Sequence, residues 1–269
     1  MGWTLTFTLF GILAGVLFLI TFSTTKERIA TDDIAQAKVP LKTSMKALIK
    51  NKYWIVLLLF ALISFGNAGL QGGLGIYYAQ YVLENPELVG PLATAGLIPV
   101  MIGLFFVAPI IKKFGKRNST IFGLSFSLIG TVIMLIDPTN FTLILVGSTI
   151  RAIGGIPFTA SFFAMLADTV EYGEWKTGVR SEGLVYSAGS FGTKIGIGLG
   201  GALMGYCLTL GGYVSGATQQ SDSAISMITF LFIWAPAIIA LMQIAILLFY
   251  KLDKIYPQIL IDLKSRKEQ

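Results

Sequence analysis

The stretch FTLILVGSTIRAIGGIPFTASFFAML, residues 141–166, decides the fold of this chain. It is long and apolar, and it carries one charged side chain, Arg151, near its middle. Apolar runs of about 18 or more residues are typical of transmembrane helices, which need roughly 20 residues to cross the hydrocarbon core. We therefore predict that this stretch is a membrane-spanning helix that holds a cation at mid-membrane depth.

The same pattern recurs along the whole chain, which is 54% hydrophobic and only 13% charged. Soluble domains average about 25% charged residues, so a soluble fold is not favoured. The seven predicted spans are 3–22, 54–83, 91–111, 118–136, 141–166, 184–208 and 225–250. The predicted fold class is an all-α polytopic membrane protein with seven transmembrane helices.

Basic residues outside the spans predict the orientation of the chain. Eighteen of the 20 Lys and Arg lie in the first long loop, in KKFGKR at 112–117, in the loop at 167–183 or in the C-terminal tail. The loops at 84–90, 137–140 and 209–224 hold none. Cytoplasmic loops carry the excess of Lys and Arg, so the basic loops and the C-terminus are predicted to be cytoplasmic. The net charge of +6 thus indicates topology rather than nucleic acid binding.

The residue types that usually carry catalysis are scarce. Cys207 is the single cysteine and His is absent, which removes a disulfide, a cysteine metal set and the commonest general base. No HExxH-like site is present either. We predict that the protein is not an enzyme and has no metal site and no bound cofactor.

The order of the spans suggests how the chain is organised. One span, a long basic linker and six further spans match the second half of a twelve-helix transporter, preceded by the last helix of its first half. We predict that last helix at 1–22, a cytoplasmic linker at 23–52, a six-helix bundle at 53–250 and a cytoplasmic tail at 251–269. Residues 43–52 are predicted to form an amphipathic helix on the inner face. About five helices are then expected upstream or on another polypeptide, because such transporters are built from paired repeats.

Glycines mark the second and sixth spans. The centre of the second, FGNAGLQGGLG at 65–75, holds glycines that each cost about 1 kcal/mol in a helix relative to Ala, and Asn67 and Gln71 lie one turn apart. This predicts an interrupted helix that lines a cavity, because broken backbone at membrane depth is tolerated only there or inside protein. Close helix packing through small residues is the alternative. In the sixth span, GxxxG spacings such as Gly192–Gly196 favour packing.

Two cations, Arg151 and Lys194, lie near mid-span with no acid in any predicted span. A charge at the bilayer centre costs roughly 2.5–3.5 kcal/mol, and such residues normally line a polar pathway or have a partner. Helical periodicity puts Tyr186, Ser190 and Lys194 on one face and Arg151 and Thr159 on another. Hydroxyls, an ammonium and aromatic rings suit a polyhydroxylated solute. The alternative is that either cation only bonds backbone carbonyls and stabilises packing.

The charged segment ADTVEYGEWKTGVRSEG, residues 167–183, suggests a gate. A charged, ordered loop can stabilise one conformation of an alternating-access transporter through ion pairs between its halves. A solvated loop is the alternative, because exposed ion pairs are worth only about 0–1 kcal/mol.

A family resemblance begins in this segment. ADTVEYGEWKTGVRSEGLVYSAGSFGTK, residues 167–194, closely resembles the loop and eleventh helix of the glycoside–pentoside–hexuronide:cation symporters, the melibiose-permease-like members of the major facilitator superfamily. RAIGGIPFTASFFAML at 151–166, FGNAGLQGGLGIYYAQYV at 65–82 and FSTTKER at 22–28 resemble the same family. The resemblance covers nearly the whole chain, as helices six to twelve of that fold.

The resemblance implies cation-coupled (Na⁺, Li⁺ or H⁺) symport of sugars or glycosides by alternating access. It places Lys194 beside the sugar and cation sites and Ser190 at a sugar-lining position. Thr159 falls near a sugar-contacting tryptophan of melibiose permease, so this chain departs from that pattern. The family's conserved tyrosine and charged loop match Tyr186, Asp168, Glu171, Tyr172, Glu174 and Arg180. We therefore expect the last five of these to serve in gating.

The resemblance also implies what this chain lacks. The family's cation-binding acids lie on helices of the first half, so the coupling cation is expected to bind mainly there, and this chain alone is expected not to transport. The expected partners are a sugar or glycoside, the lipid bilayer of a bacterial plasma membrane and an N-terminal half on the same or a separate chain. The alternative is a non-transporting truncated or split membrane subunit.

Overall fold

The structure is a computed structural model that describes residues 2–25 and 40–267. Within these ranges the chain is helical and contains no β-strand, which confirms the all-α prediction. The α-helices are α1 (Gly2–Thr24), α2 (Leu41–Ile49), α3 (Lys52–Tyr77), α4 (Val89–Phe114), α5 (Lys116–Ile136), α6 (Phe141–Thr177), α7 (Glu182–Leu210), α8 (Asp222–Thr229), α9 (Ala235–Leu248) and α10 (Leu252–Lys267). Two π-helical turns, Tyr78–Val82 and Phe230–Trp234, continue α3 and join α8 to α9.

Seven helical segments in the described ranges are long and apolar enough to cross a membrane, as the sequence predicts. They are Thr4–Thr24, Lys52–Val82, Pro86–Phe114, Lys116–Ile136, Phe141–Thr177, Glu182–Leu210 and Asp222–Arg266. The fifth continues past its predicted end at 166 and stops at Gly178, whose φ of 71° suits a glycine that ends a helix. The polytopic, seven-helix fold class is thereby confirmed.

Helix α1 belongs to one compact unit of the chain, and residues from Pro40 onward form the other. Its large apolar side chains are exposed on all sides, among them Phe10 and Phe18. A helix that is apolar all round is typical of a membrane span. Of the predicted basic linker, Lys26, Arg28 and Lys38 lie outside the described residues.

Helix α2 is the amphipathic helix predicted before the second span, but it ends at Ile49 rather than at 52. Leu48 is buried on its apolar face. Asn51 separates the two helices because its side-chain oxygen accepts a hydrogen bond from the Trp54 N–H at 3.0 Å, as an N-cap of α3. The Asn51 amide also donates to the Thr169 carbonyl at 2.7 Å, which ties this junction to α6.

Helix α3 is continuous through its glycine-rich centre, so the predicted interruption is wrong. Gly66 and Gly69 lie against the backbone of α7, and a Cβ on Gly69 would overlap the Ile197 carbonyl. Close packing, the alternative reading, therefore holds for these two glycines. Gly72 and Gly75 differ, since a Cβ on either would have no atom within 4 Å.

The glycines of α7 complete this close approach. A Cβ on Gly196 would lie 2.9 Å from the Leu62 carbonyl oxygen, and one on Gly200 would overlap the Gly66 carbonyl. Packing through the GxxxG face of α7 is thus confirmed. Helices α5 and α6 meet in the same way at Gly130 and Gly147, where a Cβ on either would lie 2.5 Å from the other's carbonyl oxygen.

We expect Gly200→Ala to destabilise the protein and its neighbour Gly201→Ala to be harmless. The first forces backbone apart at the α3–α7 contact, and overpacking of this kind costs about 1–3 kcal/mol. The second points into open space and gains helix propensity, by up to about 1 kcal/mol. Thermal unfolding of both variants in detergent tests this, and equal melting temperatures would contradict the close contact.

Two buried apolar clusters divide the bundle and place its polar middle. On α3 the first cluster uses residues up to Ala61, and the second begins at Leu70. The turns between them carry Ser64 and Asn67. Ser64 and Asn67 thus lie between the two clusters, beside the first cavity described below.

Candidate functional site

The π-helical turn before α9 is followed by Pro236, which has no backbone N–H to offer the carbonyls of the preceding turn. Side chains from two other helices bond these carbonyls instead. Gln71 Nε2 donates to the Leu231 carbonyl at 2.9 Å, and Arg151 Nη1 donates to the Phe232 carbonyl at 2.6 Å. The predicted site residues Gln71 and Arg151 are therefore fixed on the same turn of helix.

A first cavity of about 220 Å³ lies among α3, α5, α6 and α9. Three aromatic rings line it, those of Phe60, Phe65 and Phe158. The polar side chains in its wall are Ser64, Asn67, Ser127, Thr131, Arg151, Thr159 and Gln243. Three of these, Asn67, Arg151 and Thr159, are predicted site residues. The cavity thus offers ring faces together with hydroxyls, amides and one cation.

Four polar residues of this wall were missed by the sequence prediction. Gln243 Nε2 donates to Ser64 Oγ at 2.5 Å, and Ser127 Oγ donates to the Arg151 carbonyl at 3.1 Å. Thr131 lies one turn after Ser127. A signal for Gln243 exists, because it is the single amide in the apolar run 225–250. Ser and Thr are common enough in membrane helices that the others give no such signal.

A second cavity of about 490 Å³ lies among α3, α4 and α6. Its polar residues are Asn67, Gln71, Ser148 and Arg151, and the open glycine Gly72 forms part of its wall. Asn67 and Arg151 line both cavities. The oxygens Ser148 Oγ and Asn67 Oδ1 are buried without a hydrogen-bond partner among the described residues. Buried polar groups normally have one, so these atoms are available to a ligand.

The predicted site residues of α7 lie apart from the cavities. Lys194 and Ser190 are exposed on one side of α7 and line neither cavity, and Tyr186 is half-buried against the first apolar cluster. No ion pair of Lys194 occurs within residues 2–25 and 40–267. The structure thus brings Arg151, Thr159, Asn67 and Gln71 together. A shared site of Arg151 and Lys194 stays a prediction.

Asp168 is the predicted gating residue with a buried ion pair. Its side chain is 4% exposed, and the Lys116 ammonium donates to both carboxylate oxygens at 2.5 and 2.7 Å. Lys116 belongs to KKFGKR and begins α5, so the pair joins α5 to α6. The next residue, Arg117, donates its backbone N–H to Asp253 of α10 at 2.9 Å and its Nε to the Leu247 carbonyl at 2.7 Å.

Glu171 and Tyr172 fasten the tail and the start of α3 to α6. The Tyr256 hydroxyl of α10 donates to the Glu171 carboxylate. Tyr172 is buried and packs edge-on against Tyr53, with ring centroids 4.7 Å apart. Ile259 of α10 is buried as well. Within the predicted cytoplasmic tail, residues Leu252–Lys267 therefore form a helix that packs on the end of α6.

Arg180 pairs within its own loop. Its guanidinium donates to Glu174 at 2.7 Å and to Glu182 at 3.0 Å. The hydrogen bond that Arg180 donates to Glu174, and to a smaller extent the one that it donates to Glu182, raises the pKa of Arg180 above its usual value. The Arg180 side chain is 40% exposed, and exposed pairs contribute only about 0–1 kcal/mol each. These pairs order the turn between α6 and α7.

Similarity to known proteins agrees with this membrane architecture. The isoprimeverose transporter of Lactiplantibacillus pentosus is 33% identical over 100% of this chain and 56% of its own length. Two uncharacterized symporters of Bacillus subtilis, YnaJ and YjmB, are 31% and 30% identical, over 99% and 98% of this chain and 58% of their own lengths. The chain thus spans little more than half the length of the curated relatives it matches.

A model of the family described as MFS/sugar transport protein matches residues 1–254. The match covers nearly the whole chain, which therefore belongs to this family of the major facilitator superfamily. Its members are transporters rather than enzymes, as the sequence predicts, and the chain is an integral membrane protein.

Proposed function

We propose that this member of the MFS/sugar transport protein family contributes the solute-binding helices of a cation-coupled symporter for sugars or glycosides. The observation that carries the proposal is the first cavity, where aromatic rings and neutral polar side chains lie together inside a membrane helix bundle. Sugars present apolar ring faces and many hydroxyls. Phe60 and Phe158 offer apolar surface, and their rings pack edge-on with centroids 4.7 Å apart. Gln243 and Asn67 offer amide donors and acceptors.

We propose that the chain works together with an N-terminal helical half, encoded upstream or on another polypeptide. The relatives are longer, and no Asp or Glu among the described residues lines either cavity, so we infer that an acid that binds Na⁺, Li⁺ or H⁺ comes from elsewhere. Lys194 supports the same proposal. It lies on an exposed face of α7 beside Phe191 and Ile195, both exposed, and a cation facing lipid there is costly. A polar partner that covers this face removes the cost.

In this proposal the Asp168–Lys116 pair and the Tyr256–Glu171 bond hold the inner ends of the helices together during alternating access. Both contacts link elements that the basic-residue pattern assigns to the cytoplasmic side. The alternative is a membrane subunit that does not transport. In both cases the protein resides in a bacterial plasma membrane with its C-terminus in the cytoplasm.

Transport assays separate these functions. The chain is expressed alone or together with the helices encoded upstream of it, and uptake of a labelled glycoside into vesicles is measured with and without a Na⁺ or H⁺ gradient. We expect gradient-driven accumulation only when both parts are present. No uptake under any gradient, with both parts in the membrane at normal abundance, would favour the non-transporting subunit.

The orientation gives a separate prediction. Two single-cysteine variants are made in a Cys207→Ser background. Ser215→Cys places the cysteine in the loop between α7 and α8, and Ser265→Cys places it at an exposed position of α10. We expect an impermeant maleimide to label Ser215→Cys on intact cells and Ser265→Cys only after the membrane is opened, because the basic residues lie with the tail. Labelling of both positions from the same side would contradict the seven-span topology.

A further inference from the structure

The Arg151 guanidinium uses one of its donors within the protein and has others for a ligand. A guanidinium has five N–H donors, and the hydrogen bond from Arg151 Nη1 to the Phe232 carbonyl, at 2.6 Å, fixes the side chain on the π-helical turn. The guanidinium also lies 5.1 Å from the centroid of the Phe232 ring. No carboxylate pairs with it among the described residues. Since Arg151 lines both cavities, its other donors are placed for a ligand.

Ser148 adds a second, independent sign of a ligand. Its side chain is on the same helix, three residues before Arg151, and lines the same second cavity. The residue is 8% exposed, and Ser148 Oγ has no hydrogen-bond partner in the part of the chain that the structure describes. A buried hydroxyl left unpaired is unfavourable, so it normally finds an acceptor. Gln71, by contrast, already uses its amide on the Leu231 carbonyl.

The charge of the cavity walls selects the kind of ligand. Within residues 2–25 and 40–267, Arg151 is the only ionisable residue in the walls of the two cavities. A buried cation without a counter-charge is unfavourable, whereas a carboxylate or sulfonate matches the planar fork of a guanidinium and accepts two N–H bonds from it. A second lone pair on one of these oxygens can accept a hydrogen bond from the Ser148 hydroxyl.

We infer that Arg151 and Ser148 form a subsite for an anionic group of the solute, and that Arg151 therefore selects acidic over neutral sugars. The inference rests on the proposed function, since it assumes that the cavities hold the solute. A carboxylate from a protein segment outside this chain could neutralise Arg151 instead. Binding measurements on the chain by itself separate the two sources, because that segment is then not present.

The test compares two probes that differ at one carbon. Methyl β-D-glucuronide and methyl β-D-glucoside differ only in a carboxylate or a hydroxymethyl group, and their affinities for the purified chain in lipid nanodiscs are measured at equilibrium. We expect the glucuronide to bind about 10- to 100-fold more tightly, as one charge-assisted pair provides. Arg151→Gln should reduce glucuronide affinity to the level of the glucoside. Lys264→Gln removes the same charge from exposed Lys264 of α10, outside both cavities, and should leave the preference unchanged.

Each result decides a different claim. Equal affinities of the parent chain for the two probes, or an Arg151→Gln chain that keeps the preference, would overturn the anionic subsite. Failure of the parent to bind either probe would overturn the cavities as a solute site, and the proposed function with them. If Arg151→Gln does not fold, Arg151→Lys keeps a donor for the Phe232 carbonyl but loses the fork, and its preference should fall below that of the parent.

Discussion

Asp168→Asn is expected to lower the free energy of unfolding by roughly 3 kcal/mol, because breaking a buried ion pair costs about 3–5 kcal/mol. The Asp168 side chain is 4% exposed and takes both bonds of the Lys116 ammonium, so its loss leaves a cation poorly solvated at the start of α5. The effect falls at the lower end of that range because the Lys116 side chain is 25% exposed and reaches some water. Chemical unfolding in detergent, followed by helical circular dichroism, measures it.

Two comparisons show whether the pair itself is responsible. Glu174→Gln breaks a pair with exposed Arg180 and should cost no more than about 1 kcal/mol. The double variant Lys116→Met/Asp168→Leu removes both charges and should recover most of the stability lost in Asp168→Asn, since apolar replacements of buried pairs are often neutral. If Asp168→Asn is as stable as Glu174→Gln, the buried pair does not hold α5 to α6.

Hydropathy alone predicts the seven spans, because run length and the absence of charge are direct consequences of a bilayer interior. It does not predict α10. That helix mixes Asp253, Tyr256 and Asp262 with apolar residues, and its place is set by side chains that it meets on other elements, such as Glu171 and the Arg117 N–H. Contacts between distant residues leave no periodic pattern in the sequence.

The glycines of α3 show the same limit at closer range. Gly69 and Gly72 are one turn apart and chemically identical, yet one meets the α7 backbone and the other opens on the second cavity. Composition favours a weakened helix and close packing equally. Only the neighbouring helix decides between them, and here α3 is a continuous helix that packs closely on α7.

Polar residues inside apolar runs are the better guide to a site. Arg151, Asn67 and Gln71 stand out in sequence, and they converge on two cavities. Their convergence depends on Pro236, which lies in another span and whose missing N–H leaves acceptors for Gln71 and Arg151. The position of a residue along a span predicts its depth in the membrane but not the direction in which its side chain points. For this reason Lys194, predicted at the same depth as Arg151, is exposed on α7 and lines neither cavity.

That face leads to the prediction with the largest effect on function. In the transporter completed by its N-terminal half, Lys194→Ala is expected to abolish concentrative uptake while leaving membrane abundance normal. Lys194 lies within the candidate span Glu182–Leu210, is exposed and has no ion pair in the part of the chain that the structure describes. A partner carboxylate that also binds the coupling cation would make Lys194 the link between ion and solute. Without the ammonium, that carboxylate loses its counter-charge, its pKa rises and cation binding changes.

Uptake of labelled glycoside against its gradient, measured beside solute exchange at equal concentrations, tests this role. The Lys194→Ala transporter should accumulate about tenfold less glycoside or lower still, and a factor of ten corresponds to about 1.4 kcal/mol. If Lys194 serves coupling, this variant should still exchange solute at equal concentrations. Lys194→Arg keeps the charge and should retain part of the accumulation. Lys264→Ala removes an exposed charge of α10 and serves as the matched control. If Lys194→Ala accumulates solute as well as this control does, the residue serves packing alone, and the coupling cation is bound without it.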